Sequence, residues 1–152
     1  MHKIDKIFMS EALREAEKAF AKDEVPVGCV IVCRGKIIAR GHNQVELLKD
    51  PTAHAEMIAL TSAAGYMGSK WLNDAVLYAT IEPCSMCAGA LVLARVKQVV
   101  FGAADPKTGA CGSVVNIAGN KKLNHRIKIT RGILKEECAL LLKEFFKNKR
   151  KK

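Results

Sequence analysis

Long apolar runs, Pro/Ser/Gly-rich stretches and internal repeats are all missing from this 152-residue chain. No stretch approaches the ~18–20 apolar residues that cross a bilayer, which argues against a transmembrane protein. The charged opening, Met1-His2-Lys3-Ile4-Asp5, has no apolar run behind it, so no secretory signal is read and cytoplasmic residence is expected. Without a linker, the length fits one domain with a sizeable core, taken as residues 1–146 and followed by a basic tail at 147–152. In a chain that is not secreted, six cysteines do not imply a disulfide framework.

Acidic residues are scarce at one end only. Residues 1–120 carry 13 Lys/Arg against 12 Asp/Glu, whereas residues 121–152 carry 12 against 3. Nearly all of the net charge of +10 therefore sits in the last quarter. For Lys147, Lys149, Arg150, Lys151 and Lys152 alone, a solvated tail is as good a reading as a contact surface. The excess reaches upstream through Lys121, Lys122, Arg126, Lys128 and Arg131, which favours a nucleic-acid partner.

What is present reads as an α/β domain. Ile4, Phe8, Ala12, Ala16 and Phe20 recur at helical spacing and predict a helix over 4–22. Val27 to Cys33, a turn at Arg34-Gly35 and Lys36 to Arg40 predict a hairpin. A polar loop follows, then a helix from an N-cap at Thr52 to about Ala64. Further strands are expected at 75–80, 96–101 and 126–130, with Pro83 opening a helix after the first and a last helix over 134–147. Strands alternating with helices imply a three-layer α/β/α arrangement on a mixed five-stranded sheet. Cys29, Cys33, Cys111 and Cys138 read as small buried hydrophobes, with a Cys29/Cys33 metal site as the sharper alternative.

The chemistry is concentrated in His54-Ala55-Glu56, followed after 26 residues by Pro83-Cys84-Ser85-Met86-Cys87. His54, Cys84 and Cys87 are three good zinc ligands. A structural zinc site fills all four positions with protein, whereas a catalytic one keeps three and leaves the fourth for water. Here no fourth ligand is evident, since Cys111 and His125 have no motif around them, and a carboxylate stands beside the gap. Cys84 and Cys87, three apart, share one side of a helix, and its positive end favours thiolates. His54 and Glu56 point about 200° apart on an ideal helix, so they can serve one centre only if the metal lies off the helix end. Two helix N-termini are therefore expected to meet at the zinc. His42 and His125 read as hydrogen-bonded histidines.

With these residues in place, the chain resembles the zinc nucleobase deaminases of the cytidine/deoxycytidylate deaminase superfamily, whose H-x-E and P-C-x-x-C signature it carries. Within them it is most similar to the bacterial tRNA-specific adenosine deaminases. The resemblance runs through Glu24-Val25-Pro26-Val27-Gly28, Gly41-His42-Asn43, the two zinc motifs, Asp105-Pro106-Lys107-Thr108-Gly109-Ala110, Leu123-Asn124-His125-Arg126 and Phe145-Phe146. It implies a cytidine-deaminase-like fold, one zinc per subunit and a homodimer. It also implies Glu56 as proton carrier, with Asn43 and the Ala55 N–H holding the nucleotide and Val27 and Pro83 shaping its pocket. The implied reaction is hydrolytic conversion of adenosine to inosine at the wobble position of a tRNA anticodon loop. Asp105, Lys107, Asn124, Phe145 and Phe146 are candidates for the RNA path, with at most one of the two phenylalanines facing out. Arg131 stands where the family pattern accepts an acidic residue. Two other functions compete: a free-base or nucleoside deaminase for guanine, cytosine or cytidine, which gives no reason for the basic C-terminal quarter, and a non-enzymatic zinc-stapled RNA-binding module, which gives no role to Glu56.

Overall fold

Every residue of the strand Gly28–Cys33 is buried, a pattern that requires cover on both faces of its sheet. The computed structural model, which describes residues 2–150, supplies that cover with helices. The order is α1 (Lys3–Ala21), β1 (Gly28–Cys33), β2 (Lys36–His42), α2 (Val45–Leu48), α3 (Ala55–Met67), β3 (Ala75–Ile81), α4 (Ser85–Leu93), β4 (Gln98–Ala103), β5 (Lys128–Arg131) and α5 (Lys135–Arg150). The five strands lie in the order β2-β1-β3-β4-β5. β1 runs antiparallel to β2 and β3, while β3, β4 and β5 are parallel, so the sheet is mixed as expected.

Period-two alternation divides the core. Cys29 and Ile31 of β1, Leu77 and Ala79 of β3, and Val99 and Phe101 of β4 pack with Ala55, Ala59 and Ala63 of α3 and Ala88 and Leu91 of α4. Val30 and Val32, Tyr78 and Val100 point the other way, onto Met9 and Ala12 of α1 and Cys138 of α5. These are the three expected layers. Among the described residues no helix is long and apolar enough to cross a membrane.

Small residues let α1 lie close on the sheet. A Cβ at Gly28 would stand 2.2 Å from the Ala12 carbonyl oxygen and 2.3 Å from the Ala16 nitrogen. Both obstacles are helix backbone and cannot swing aside. Gly28→Ala is therefore expected to destabilise the fold by about 3 kcal/mol, at the upper end of ordinary overpacking. Urea unfolding checks this, and a midpoint unchanged from wild type would show that α1 can lift freely.

Several element ends differ from the sequence expectation. α3 starts at Ala55, not after Thr52, because both the N–H and the hydroxyl of Thr52 donate to Asp50 Oδ1 at 2.8 and 2.7 Å. That turn uses the hydroxyl which would have capped the helix. α2 was expected to be loop. β4 and β5 each begin two residues late, at Gln98 and Lys128. α5 extends to Arg150, so residues 147–150 are helical and only Lys151 and Lys152 of the basic tail lie outside the described residues. Lys147, Lys149 and Arg150 occupy its last turn, where the negative end of the helix favours them.

Candidate metal centre and active site

β2 and β3 both run antiparallel to β1, so they deliver their following segments to the same end of the sheet. His54 then takes the N-cap position of α3 and Cys84 that of α4, both with extended backbone and neither making a side-chain cap bond. Their side chains thereby escape the helix radiating pattern and turn past the helix ends. Cys87 follows in the first turn of α4 and is buried. His54 Nδ1 lies 3.6 Å from Cys84 Sγ and 3.6 Å from Cys87 Sγ. All three donor atoms fall within 4.8 Å of one another. For tetrahedral zinc, with metal–sulfur near 2.3 Å and metal–nitrogen near 2.0–2.1 Å, the donors should stand about 3.5–3.8 Å apart. The side chains thus fit zinc as they stand. Among the described residues Cys29 and Cys33 belong to no such group: both are buried, and the Cys29 thiol donates to the Ala55 carbonyl at 3.1 Å.

The thiols are already differentiated. A hydrogen bond from Cys87 holds Cys84 down at about 5 against the opposing effect of burial, so its thiolate is ready for a cation. Cys87 is pushed up by that shared hydrogen bond and by burial. Glu56, only 4% exposed, is raised to about 7 by burial, with a hydrogen bond from its own backbone N–H pulling the other way. A carboxyl group poised near neutrality suits both accepting and giving a proton.

His54, Cys84 and Glu56 line a cavity of about 290 Å³ together with Val27, Asn43, Ala55, Ile81, Asp105 and Thr108. Asn43 is buried, and its N–H is spent on the Val27 carbonyl at 3.0 Å, leaving its side chain on the cavity. The Ala55 N–H is one of the first in its helix and has no intrahelical acceptor. Pro83 is not among the lining residues. It sits behind them, its carbonyl accepting the Ala110 N–H at 2.9 Å.

Two buried glutamates that the sequence reading passed over hold the cavity's sides. Glu24 accepts the N–H groups of Glu46 and Leu47 at 3.0 and 2.7 Å, which is why the expected loop winds into α2. Glu82 accepts the N–H groups of Asp105, Cys111 and Ser113 at 3.0, 2.9 and 3.1 Å, and the Ser113 hydroxyl. Burial works against its ionisation, but these donors together hold the carboxyl below its usual range. Both stand in segments that carry the family resemblance, Glu24-Val25-Pro26-Val27-Gly28 and Ile81-Glu82-Pro83-Cys84, without a role assigned to them there.

The RNA-path candidates scatter. Asp105 lines the cavity, but its carboxylate is occupied by the Lys107 and Thr108 N–H groups and the Thr108 hydroxyl at 2.9, 3.2 and 2.7 Å. Lys107 lies across a second groove from Phe146, Lys149 and Arg150. Phe145 turns inward, 5% exposed and edge-on to Phe20 at 5.7 Å, while Phe146 is 43% exposed. Asn124 is elsewhere, in a groove with Leu60, Trp71, Leu93 and Arg95. His125 bonds the Val96 carbonyl at 2.8 Å and His42 faces Glu15 at 3.5 Å, so neither approaches the metal centre.

The cytidine and deoxycytidylate deaminase zinc-binding region matches residues 2–103. The chain belongs to this family of zinc-dependent deaminases. A tRNA-specific adenosine deaminase of Bacillus subtilis is 48% identical over 97% of this chain and 92% of its own length. Another, from Aquifex aeolicus, is 52% identical over 94% of each. Among solved structures, one from work on A-to-I editing by tRNA:A34 deaminases at the wobble position superposes with a TM-score of 0.85 at 41% identity, covering 89% of this chain and 98% of that one. A guanine deaminase from Nitrosomonas europaea also shares the fold, with a TM-score of 0.82 at 26% identity over 92% of this chain and 83% of that one.

Proposed function

We propose that this protein converts adenosine to inosine by hydrolysis at the wobble position of a tRNA anticodon loop, as a cytoplasmic homodimer with one zinc per subunit. The observation that carries the chemistry is a donor set of three at zinc spacing with the buried Glu56 on the same cavity. His54, Cys84 and Cys87 would hold the zinc, which when bound would supply Lewis-acid activation of water at neutral pH. Glu56 takes the proton from the attacking water, passes it to the ring nitrogen N1, and then assists the departing ammonia. A C6–O bond forms, the C6–N bond breaks, and adenosine plus water gives inosine plus ammonia. Asn43 and the Ala55 N–H hold the nucleotide while Val27 packs on it. The base must leave its stack to enter, which is cheapest in a single-stranded loop.

The tRNA branch is supported by the two relatives above and by the basic C-terminal quarter. The groove of Lys107, Phe146, Lys149 and Arg150 offers both cations and an aromatic face to a single strand. Homodimerisation is supported by α3 and α4, which are apolar nearly all round yet leave Tyr66, Met67 and Leu93 exposed beside Trp71. The test is to offer the zinc-loaded protein a tRNA with adenosine at the first anticodon position, beside free adenosine, cytidine and guanine. Inosine in the RNA alone is expected, whereas release of ammonia from guanine or cytidine would place the chain with the free-base or nucleoside deaminases.

Truncation after Phe146 should weaken tRNA binding and leave turnover at saturating RNA nearly intact. It removes Lys147, Lys149, Arg150, Lys151 and Lys152, of which the first three, the ones the structure describes, do not line the cavity. Lys149 is already paired with Asp23 at 2.7 Å, so it contributes less than the others. Each lost phosphate contact should flatten the salt dependence by about 0.7–0.9 in log–log slope. An unchanged slope would take RNA off the end of α5.

A further inference from the structure

The connection between β4 and β5 folds back onto the zinc-ligand segment. Gly109 pairs with Cys84 in an isolated bridge, and the Ala110 N–H bonds Pro83. At Cys111 the loop is gripped by opposite charges. The Cys111 N–H donates to Glu82 Oε2 at 2.9 Å, while its carbonyl accepts from Arg131 Nη2 at 2.9 Å. The guanidinium also lies over the Phe101 ring, 5.4 Å from its centre, which fixes the plane of its donors. The backbone makes way for it at Gly112, where φ is +126° and a Cβ would meet Nη2 at 2.6 Å. A carboxylate in place of Arg131 has no proton to offer the Cys111 carbonyl.

We propose that Arg131 is a positioning residue for substrate binding: through the Cys111 carbonyl it keeps the Asp105–Ser113 loop seated on Glu82, and so sets the Asp105–Thr108 side of the cavity. This rests on the deaminase reading above. Arg131 does not line the cavity and acts through the loop that does. Glu82 joins both ends of that loop, and the Ala110 carbonyl accepts the Ile117 N–H at 2.8 Å. Arg131 holds the next peptide, Cys111–Gly112, whose N–H bonds the Val115 carbonyl at 3.0 Å, so that the loop keeps its seat on Glu82.

The test uses zinc-loaded Arg131→Leu and an RNA stem-loop with adenosine at the target position. KM should rise roughly three- to tenfold with kcat within about twofold, because a hydrogen bond that orders the unreacted complex has been lost. The salt dependence of KM should keep its slope. Arg131→Lys should recover part of the loss, since an ammonium donates but does not stack. Gly112→Ala keeps the arginine while displacing its guanidinium, and combined with Arg131→Leu it should be less than additive. A slope reduced by about 0.7 or more would make Arg131 a phosphate contact and overturn the proposal. A change confined to thermal stability, or an unchanged KM, would overturn it too. If Arg131→Leu does not fold, Arg131→Lys and Gly112→Ala carry the same comparison. Amide exchange at Cys111 and Ser113 reads the loop with no substrate present: faster exchange is expected in the variants, and wild-type rates would sink the role. Failure of the wild-type protein to deaminate the RNA would count against the function, while exchange judges Arg131 on its own.

Discussion

Glu56→Gln is expected to bind one zinc per chain and to lose turnover by about 10²–10⁴-fold, the usual worth of general acid–base catalysis, or more because one group serves several transfers. The three donor atoms are untouched, and the amide has nearly the shape of the acid. It cannot cycle a proton. Since Glu56 is almost wholly buried, replacing a burdened charge by a neutral amide should leave the melting temperature level or slightly higher. The informative result is a folded, metal-loaded and inactive protein, read by metal analysis, thermal melting and single-turnover inosine formation together. Deamination within about tenfold of wild type would remove Glu56 from its role.

Cys84→Ala should have a different signature, losing metal and stability together. Cys84 supplies one of the three donor positions, so its loss leaves two ligands. Metal that binds only the folded chain stabilises it, and removal of several kcal/mol from a domain of this size lowers the melting temperature by on the order of 10 °C. A chelator should move wild-type protein to nearly the same temperature and leave the variant where it is. Stoichiometric zinc in Cys84→Ala would mean that the ligand set is wrong.

The centre was legible in the sequence because its donors are neighbours in two short motifs, and the need for an off-axis metal followed from helix geometry alone. The strands and long helices were legible from their period. What could not be read was made by contacts distant in sequence. α2 depends on a carboxylate 22 residues earlier, and the Asp105–Ser113 loop depends on one up to 31 residues earlier. Thr52 looked like a cap because its competing partner, Asp50, belongs to a turn whose closure local pattern does not announce. Phe145 and Phe146 were indistinguishable until Phe20 chose between them. Pro83 and Asn124 enter by resemblance alone, which carries over residue identities and no contacts: the Pro83 carbonyl bonds the Ala110 N–H, and Asn124 lies in a separate groove.

The two glutamate-held segments have a bearing on how such a protein can change over time. The reacting groups grow from the ends of α3 and α4, whose alanine-rich inner faces are locked into the sheet. The segments at 45–48 and 105–113, by contrast, hang on Glu24 and Glu82, and although Ala110 and Cys111 are packed into the core, the side chains at 46–48 and 106–108 are exposed and lie outside it. Mutations there explore new substrates without putting the hydrolytic apparatus at risk. One inherited engine can thus be refitted for a nucleotide within RNA or for a free purine, and divergence is expected to accumulate in those two segments before it reaches the metal.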